Sequence, residues 1–437
     1  MKVGFLSLGC SKNLVDSETI MGMLKAGGHE LVAHPKEAEA IIINTCGFIQ
    51  SAKEEAIQTI FEMAAYKKQQ LKKLIVVGCL AQRYKEALIA DIPEIDCVIS
   101  IREYPHIHEI LAKVLGGKPL SAYAKSERLL TSKPWSAYLK IAEGCSNHCT
   151  YCAIPIIRGD NVSFPMEQLV AEAKRLGENG VKELVLIAQD TSKYGLDLYG
   201  EYSLLKLLQK LHEIPQLHWI RILYMYPDEI SEELIAGMKK LTKVLPYFDI
   251  PMQHANDHML KLMNRRGEMK DVNALIERIR TYHPDATLRT TYIVGFPQET
   301  EADFQDLMEF TRKTRWDRMG AFTYSPEEDT PAYSFTGAVD EAVKQRRLDE
   351  LMELQKQISL SKQKALIGME IEVLVEGVDA LKGTYRGRGK ANAPDEVDGL
   401  VFFTSSRTIP LGSFVQIKIT DALPYDLIGE EVVPVGV

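Results

Sequence analysis

The stretch EGCSNHCTYCAIP, residues 143–155, brings three cysteines, Cys145, Cys149 and Cys152, within eight positions. A structural zinc site needs four ligands, usually in closely spaced cysteine pairs, and no matching pair follows here. His148 lies inside the loop, where its geometry is poor for a ligand. A 4Fe–4S cluster binds cysteines on separate irons, so three thiolates leave one iron open to a small molecule. The C-x3-C-x2-C spacing therefore favours such a cluster over zinc.

Six alternating strands and helices accompany this stretch, which directly follows the first strand. The predicted strands are 137–142, 183–190, 219–227, 247–255, 286–297 and 319–326, and helices between them include 165–177, 229–241, 256–265 and 300–313. Strands that alternate with helices form parallel sheets, and the ligands of barrels bind at the carboxyl ends of the strands. We therefore predict a (β/α)6 barrel or partial barrel with the cysteine loop on its reactive face.

The cysteine spacing, with the aromatic Tyr151 directly before the last cysteine, resembles the motif of the radical S-adenosylmethionine (SAM) superfamily. The place of the loop after the first strand is also similar to that superfamily. The resemblance implies that Cys145, Cys149 and Cys152 bind a 4Fe–4S cluster whose open iron chelates SAM. It also implies cleavage of SAM to a 5′-deoxyadenosyl radical, chemistry that belongs to the cofactors while the protein orients them.

Polar side chains stand near the ends of the later strands and are candidates to line the same site. They are Gln189, Asp190, Tyr224, Tyr226, Gln253, His254, Arg289, Thr290 and Thr291. Each is also explained as a structural cap or a satisfied polar residue. We predict that Tyr151, Gln189, Asp190, Gln253 and Arg289 bind the cofactor, and no catalytic side chain is assigned.

The first hundred residues repeat a unit of apolar strand, cysteine and helix three times. The strands are KVGFLSLGC, AEAIIINTCGF and LKKLIVVGCLAQ, and helical patterns begin near residues 17, 51 and 83. Cys10, Cys46 and Cys79 each fall at the carboxyl end of a strand, and in an open α/β sheet those ends share one edge. We expect the three thiols to converge there, although free cysteines also occur as small buried residues. Cys97, inside a further strand, is predicted to be core.

The cysteine domain, the barrel and the final seventy residues together resemble the radical SAM methylthiotransferases along nearly the whole chain. The final region has short alternating β segments and glycine-rich turns, which predict a small antiparallel β-barrel, and it resembles a TRAM domain. The resemblance implies a second 4Fe–4S cluster on Cys10, Cys46 and Cys79. It also implies that SAM serves both as radical source and as donor of the methyl group in a methylthio transfer.

We predict an α/β protein of five segments. They are an N-terminal Fe–S domain with a parallel sheet over 1–105, a linker over 106–136, the radical SAM domain over 137–335, a connecting helix over 336–365 and the TRAM domain over 366–437.

Composition limits the setting in which the chain acts. None of the 437 residues belongs to an apolar run near the ~18–20 residues of a membrane span. Seven cysteines in an odd set argue against a disulfide framework and suit a reducing compartment. We therefore expect a cytoplasmic monomer without a membrane partner.

Two branches of the family differ in their target. One modifies an adenosine of tRNA, and the other modifies the β-carbon of an aspartate of small-subunit ribosomal protein number twelve. From Leu366 onward, 6 Lys and Arg face 11 Asp and Glu, a net charge of −5. RNA binding depends on cations that neutralise phosphates, so an acidic module better suits a basic protein. The stretch YRGRGK, residues 385–390, is contrary evidence.

Four stretches also resemble the ribosomal-protein branch: LGCSKNLVDSE, IAQDTSKYG, MQHANDHMLKLMNRRG and APDEVDG. We therefore expect a basic ribosomal protein as substrate, nucleic acid as no primary partner, and an electron donor such as flavodoxin or ferredoxin. The alternatives are a tRNA adenosine methylthiotransferase and, from a different class, a non-catalytic Fe–S electron carrier or scaffold.

Overall fold

Five parallel strands form the N-terminal sheet in the computed structural model, which describes residues 1–123, 127–379, 383–394 and 398–432. The strands are β1 (Lys2–Ser7), β2 (Glu30–Val32), β3 (Ala40–Thr45), β4 (Lys73–Gly78) and β5 (Cys97–Ile99), in the spatial order β2-β1-β3-β4-β5. The central strands AIIINT and KLIVVG are buried almost throughout, as expected for parallel strands covered on both faces by helices.

Four helices complete this domain: α1 (Ser11–Ala26), α2 (Gln50–Ala64), α3 (Cys79–Asp91) and α4 (Ile107–Leu115). α1 and α3 begin directly after or at their cysteines, several residues earlier than the periodic pattern predicts. α3 is kinked at Tyr84, so its first turn does not share the regular pattern of its later turns. α4 lies inside the predicted linker and is held by the buried side chains of Ile107, Leu111 and Leu115.

Six parallel strands form the central partial barrel, as predicted. They are β6 (Ser136–Lys140), β9 (Glu183–Ile187), β10 (Trp219–Ile222), β11 (Tyr247–Asp249), β12 (Thr287–Val294) and β13 (Arg318–Thr323), with the short pair β7 (Ala142–Glu143) and β8 (Val162–Ser163) beside the cysteine loop. Two three-stranded sheets, β10-β9-β6 and β11-β12-β13, adjoin where Ile220 pairs with Val244.

The helices of this region are α5 (Ile154–Arg158), α6 (Met166–Glu178), α7 (Leu196–Tyr199), α8 (Leu204–His212), α9 (Glu232–Lys240), α10 (Asp257–Leu262), α11 (Met269–Tyr282), α12 (Glu301–Thr314) and α13 (Glu341–Lys364). The apolar faces of α6, α8, α9, α11, α12 and α13 pack on the barrel strands. The short helix α5 packs instead against the N-terminal core, and α10 packs in a separate cluster with Phe296 and Tyr324. The long helix α13 begins where the Asp340 side chain accepts a hydrogen bond from the N–H of Ala342, and it leads to the last domain.

Five strands close the C-terminal β-barrel: β14 (Glu370–Asp379), β15 (Thr384–Gly389), β16 (Val401–Thr404), β17 (Phe414–Ala422) and β18 (Leu427–Glu431). Neighbouring strands are antiparallel except β16 and β18, which are parallel. Among the described residues, no helix is both long enough and apolar enough to cross a membrane.

Buried ion pairs connect the C-terminal barrel to the amino ends of the central strands. Glu183 of β9 accepts hydrogen bonds from Arg221 at 3.0 Å and from both terminal nitrogens of Arg388 of β15. Arg388 also donates to Glu376 at 3.0 Å. Burial opposes ionisation of Glu183, yet the two guanidinium groups lower its pKa to about 2. This end of the barrel is therefore closed by charges that compensate one another.

Candidate active site

Three loops bring the N-terminal cysteines to one edge of the parallel sheet. Cys10 precedes α1, Cys46 follows β3, and Cys79 is the first residue of α3. A Cβ on Gly9 would lie 2.8 Å from the Cβ of Cys46, and one on Gly47 would collide with the backbone at the start of α3. Because the loops approach so closely, only glycine fits at these two positions.

Burial makes the N-terminal thiols weak acids in the absence of a metal. It raises the pKa of Cys79 to about 11 and also raises that of Cys46, with Arg158 opposing the shift at both sites. A bound metal reverses this effect because its positive charge deprotonates a coordinated thiol. Thiolates are soft ligands, and iron–sulfur clusters are one of the metal groups that such ligands prefer. The N-terminal triad, defined as Cys10, Cys46 and Cys79, therefore has a donor set that fits such a cluster.

The loop between β7 and α5 carries the barrel triad, defined as Cys145, Cys149 and Cys152, at the carboxyl end of β6. The N–H of Cys145 donates to the carbonyl of Gly159 at 3.0 Å, and that of Cys152 to Cys149 at 3.0 Å. Burial raises the pKa of Cys145 to about 11 and raises that of Cys152 further. Within the described ranges, no group of three His, Cys, Asp or Glu side chains is gathered for a single ion. Cysteines of one cluster bind different irons and need not meet at a point.

Arg158, at the end of α5, connects the barrel triad to the N-terminal triad. Its Nη2 atom donates to Asn13 Oδ1 at 2.6 Å and lies 3.6 Å from Cys79 Sγ. Its Nη1 atom donates to Glu143 Oε1 at 2.6 Å, just before the barrel triad. One guanidinium thus contacts the segments that carry both triads, which lie on facing surfaces of the two domains.

A buried charge network continues from Arg158 along the same interface. Lys140, the last residue of β6, donates to Asp16 of α1 and, at 2.8 Å, to Glu143. Asp16 also faces Arg158 at 3.4 Å. Burial opposes ionisation of Glu143, but Lys140 and Arg158 lower its pKa to about 2. The network holds α1 against the first strand of the barrel.

Two of the predicted cofactor-binding residues contact the barrel triad or its loop. Asp190 is buried and accepts a hydrogen bond at 2.7 Å from Asn147, which lies within the cysteine loop. The hydroxyl of Tyr151 lies 3.3 Å from Arg265 Nη1, and the same nitrogen lies 3.8 Å from Cys149 Sγ. The ends of β9 and α10 thereby fix the loop from two sides.

Gln189 and Gln253 lie at the same barrel end, half-buried. Gln253 adopts a φ of 71°, and Tyr224, also at a strand end, adopts a φ of 62°. Such left-handed backbone is strained in residues other than glycine, costs of the order of 1 kcal/mol or more, and clusters at functional sites.

Arg289 is paired with carboxylates rather than with the cysteine loop, and its role as a cofactor ligand stays a prediction. It is the third residue of the eight-residue strand β12 and therefore stands well before the carboxyl end. Its guanidinium pairs with Asp249 at 2.9 Å and with Asp398 of the C-terminal barrel at 3.3 Å. The sequence pattern marks the strand correctly but does not indicate which of its residues reach the mouth.

Comparison with known families divides the chain as its architecture does. Residues 2–100 match the uncharacterized protein family UPF0004, residues 139–311 match the radical SAM superfamily, and residues 367–432 match the TRAM domain. A ribosomal protein uS12 methylthiotransferase RimO of Lachnoclostridium phytofermentans is 49% identical over 438 residues, covering 98% of this chain and 99% of that protein. One of Clostridioides difficile is 47% identical over 439 residues and 98% of each chain.

The chain belongs to the uS12 methylthiotransferase family. It is a radical SAM methylthiotransferase, as the six-cysteine pattern predicts. A solved radical SAM methyltransferase, TsrM from Kitasatospora setae with a tryptophan substrate and a SAM analogue, matches with a TM-score of 0.56 at 11% identity, over 87% of this chain and 79% of that one. The cobalamin-dependent enzyme OxsB matches with a TM-score of 0.51 at 11% identity, over 82% and 56%. Both likenesses concern the fold alone.

Several residues of this methylthiotransferase site are missing from the sequence prediction. Arg266 donates to Glu229 at 2.6 Å and to Asn147 of the cysteine loop at 2.9 Å. Burial and the neighbouring Asp190 raise the pKa of Glu229 to about 7, although Arg266 opposes the shift. Arg266 lies within the stretch MQHANDHMLKLMNRRG, and its two adjacent arginines could have indicated a site residue in the sequence. Arg158 offered no such signal, because its partners lie about 80 and 145 residues away.

Proposed function

We propose that this methylthiotransferase adds a methylthio group to the β-carbon of an aspartate of ribosomal protein uS12. The relatives of that name, alike over the full length, support this substrate. The structural observation that supports a transfer between two sites is the Arg158 guanidinium, which contacts Asn13 and Cys79 on one side and Glu143, two residues before Cys145, on the other. A transfer between a sulfur-holding site and a radical-forming site requires that the two face one another.

Two 4Fe–4S clusters fit the two cysteine triads. Cys10, Cys46 and Cys79 would hold one cluster, and Cys145, Cys149 and Cys152 the other, which would also bind SAM. When bound, these groups supply the electron, the hydrogen-abstracting radical and the methylthio group. The polypeptide would hold the two clusters and SAM in position.

The side chains around the barrel triad are proposed to orient SAM and exclude water. The hydrogen bond between Asn147 and Asp190 ties the cysteine loop to the end of β9, and its acceptor, the Asp190 carboxylate, is buried. Tyr151, Gln189 and Gln253 are proposed to line the SAM site with Asp190. A polar residue held by buried partners keeps its orientation during a reaction, which is the condition for positioning a reactive group.

The choice of a protein substrate over tRNA rests on the C-terminal barrel. Of the three cations in YRGRGK, Arg388 is buried in ion pairs with Glu183 and Glu376 and is not available to phosphates. The acidic residues are also partly committed: Asp398 is buried and accepts a hydrogen bond from Tyr247, while Asp395 and Glu396 lie outside the described residues. Glu370, Asp421 and Glu430 are exposed around a single exposed cation, Lys418, which is the cross-strand neighbour of Glu370 and Glu430, so among the described residues this surface is net acidic and suits a basic partner.

The finer setting is proposed as follows. The enzyme works in the cytoplasm as a monomer and receives electrons from a flavodoxin or ferredoxin. Its Fe–S domain covers residues 1–105, the linker 106–136, the radical SAM domain 137–335, the connecting helix 336–365 and the TRAM domain 366–437.

Mass spectrometry of uS12 and of bulk tRNA from cells lacking the gene tests the substrate. We expect one uS12 aspartate to lose the mass of a methylthio group while the tRNA nucleosides are unchanged. Re-expression of the wild-type chain should restore the mass, and re-expression of the variant with alanine at the three barrel-triad cysteines should not. A lost methylthio-adenosine with unaltered uS12 would overturn the proposal in favour of the tRNA branch.

A further inference from the structure

Lys12 is a buried cation that reaches from the N-terminal domain into the mouth of the barrel. It lies in the first turn of α1, two residues after Cys10, and is 5% exposed. Its Nζ atom stands 3.2 Å from the centre of the Tyr224 ring. Tyr224 follows β10 at the carboxyl end of the barrel, and its carbonyl accepts the N–H of Thr191, the residue after Asp190. Lys12 therefore lies between the two cysteine triads.

The other cations at this mouth have partners that account for their burial. Lys140 and Arg158 pair with Asp16 and Glu143, and Lys193 and Arg266 pair with Glu229. Arg265 has no carboxylate partner within the described part of the chain, but it donates to the carbonyl of Pro251 at 2.6 Å and contacts Tyr151 and Cys149. It is thereby committed to the cysteine loop.

Lys12 differs from Lys140, Arg158, Lys193 and Arg266 in its lack of a carboxylate partner, and from Arg265 in its lack of a hydrogen-bond acceptor among the described residues. Over residues 1–123, 127–379, 383–394 and 398–432, no carboxylate lies within ion-pair distance of its Nζ atom, which instead contacts the face of the Tyr224 ring. A cation over an aromatic face recovers part of the hydration lost on burial, but a counter-ion is the usual means of stabilising a buried ammonium. The position is thus complementary to an anion that enters from outside the chain.

We infer that Lys12 binds the side-chain carboxylate of the target aspartate. This inference rests on the proposed function, in which the carbon to be modified is directly bonded to that carboxylate. Fixing the carboxylate on a side chain between the two triads restricts the position of the neighbouring carbon, as a reaction between two sites requires. The compact ammonium also distinguishes aspartate from the neutral, otherwise similar asparagine.

The strain at Tyr224 fits this assignment. Its φ of 62° is maintained by a hydrogen bond from its own N–H to Asp249 at 2.9 Å and by one from the N–H of Thr191 to its carbonyl at 2.9 Å, while the single hydroxyl proton of Thr191 is shared between the carbonyls of Leu223 at 2.8 Å and Tyr224 at 3.0 Å. The ring that supports Lys12 is therefore held on a rigid, strained backbone rather than on a loop free to turn away, and such strain is expected where a side chain must be presented to a ligand.

Equilibrium binding to the anaerobically reconstituted holoenzyme tests the inference. The probes are uS12 and uS12 with the target aspartate replaced by asparagine, both titrated in the presence of SAM. We expect wild-type enzyme to prefer the aspartate form by about 10- to 100-fold, the range of a charge-assisted hydrogen bond. Lys12→Met should lower the affinity for the aspartate form by a similar factor and leave the affinity for the asparagine form unchanged. Lys12→Arg should retain most of the preference.

Iron content and SAM affinity are measured on the same samples, and both should equal the wild-type values. Lys25→Met is the matched control, because it removes the same charge from an exposed position of the same helix. It should leave the aspartate preference intact. A Lys12→Met enzyme that keeps the wild-type preference for the aspartate form overturns the inference. The inference is also overturned if Lys12→Met loses SAM affinity or iron and its affinity falls by the same factor for both forms of uS12. Wild-type enzyme that binds neither form of uS12 contradicts the proposed function itself.

Discussion

The two ends of the central barrel bury charged side chains in different ways. At the amino end, Glu183 is surrounded by Arg221 and Arg388, and Arg388 also pairs with Glu376. Every member of this group has an opposite charge within hydrogen-bond distance. At the carboxyl end, beside paired residues such as Arg158, stands the buried Lys12 with an aromatic ring as partner.

This difference distinguishes a structural use of buried charge from a functional one. A compensated network costs desolvation but can fix how one domain sits on another, which is the role we assign to the Glu183 group. An uncompensated charge together with strained backbone and buried thiols is poorly stabilised by the chain alone. Such a set is expected where cofactors and a substrate supply the missing partners.

The largest expected effect comes from removing the cysteines at the carboxyl end. Alanine at Cys145, Cys149 and Cys152 should abolish SAM cleavage and lower the iron content from about eight to about four atoms per chain. Alanine at Cys10, Cys46 and Cys79 should lower the iron content equally and abolish methylthio transfer, while SAM cleavage persists. Iron analysis and detection of 5′-deoxyadenosine on reduction measure both. Eight irons in either variant would contradict the ligand assignment.

The next effect lies at the amino end and concerns stability. Glu183→Gln leaves two buried guanidinium groups without their carboxylate and should lower the free energy of unfolding by about 3–5 kcal/mol. Denaturant unfolding measures the loss, and iron content should be unchanged because the cysteines are remote.

The double variant Glu183→Gln with Arg388→Met is the control for this pair. It should be less destabilised than the sum of the single changes, since removing Arg388 relieves one of the unpaired charges. Additive losses would show that the ion pair does not couple the two domains.

A feature of the fold or of the site could be predicted from the sequence where the residues that determine it lie close together in the chain. The strand–cysteine–helix units and the six barrel strands could be predicted from local patterns, because each strand, cysteine and helix lies within about 25 residues of chain. The spatial order of the strands could not, because it depends on contacts between distant segments. The fold class and the family are confirmed. The level of Arg289 along the barrel could not be predicted, because a strand pattern alone does not indicate how far each residue lies from the carboxyl end. Lys12, Arg158 and Arg388 act across domain interfaces, where sequence periodicity carries no information.

A smaller effect should appear in the pH dependence of stability. His254, at the carboxyl end, is fully buried, and neither ring nitrogen has a hydrogen-bond partner among the described residues. Burial lowers its pKa to about 3, with Arg347 acting in the same direction and Asp303 opposing. Glu299 Oε2 lies 3.8 Å away but already accepts the N–H groups of Gly295 and Phe296.

The sign of the effect follows from protonation of the unfolded chain. Unfolded His254 binds a proton below pH 6.5, whereas folded His254 does not until about pH 3. The contribution of neutral His254 to the free energy of unfolding is therefore complete above pH 6.5 and is lost on acidification. Between pH 6.5 and 5 the loss is about 2 kcal/mol. In denaturant unfolding, the free energy of unfolding of His254→Gln should fall by about 2 kcal/mol less than that of the wild type between pH 6.5 and 5. Equal slopes for wild type and His254→Gln would contradict the assignment.

The smallest effect is expected at Cys97, the cysteine outside both triads. It is the first residue of the edge strand β5 and half-buried, rather than inside a strand as predicted, and it packs against the N-terminal core. Cys97→Ser places a hydroxyl in a partly solvated site and should cost about 1 kcal/mol or less. Both clusters and methylthio transfer should be retained, because β5 lies on the far side of β4 from β3, which leads to Cys46. Cys46→Ser, a chemically identical change at a cluster position, should instead disturb the N-terminal cluster, and a loss of about four irons in Cys97→Ser would show that this edge residue is a ligand.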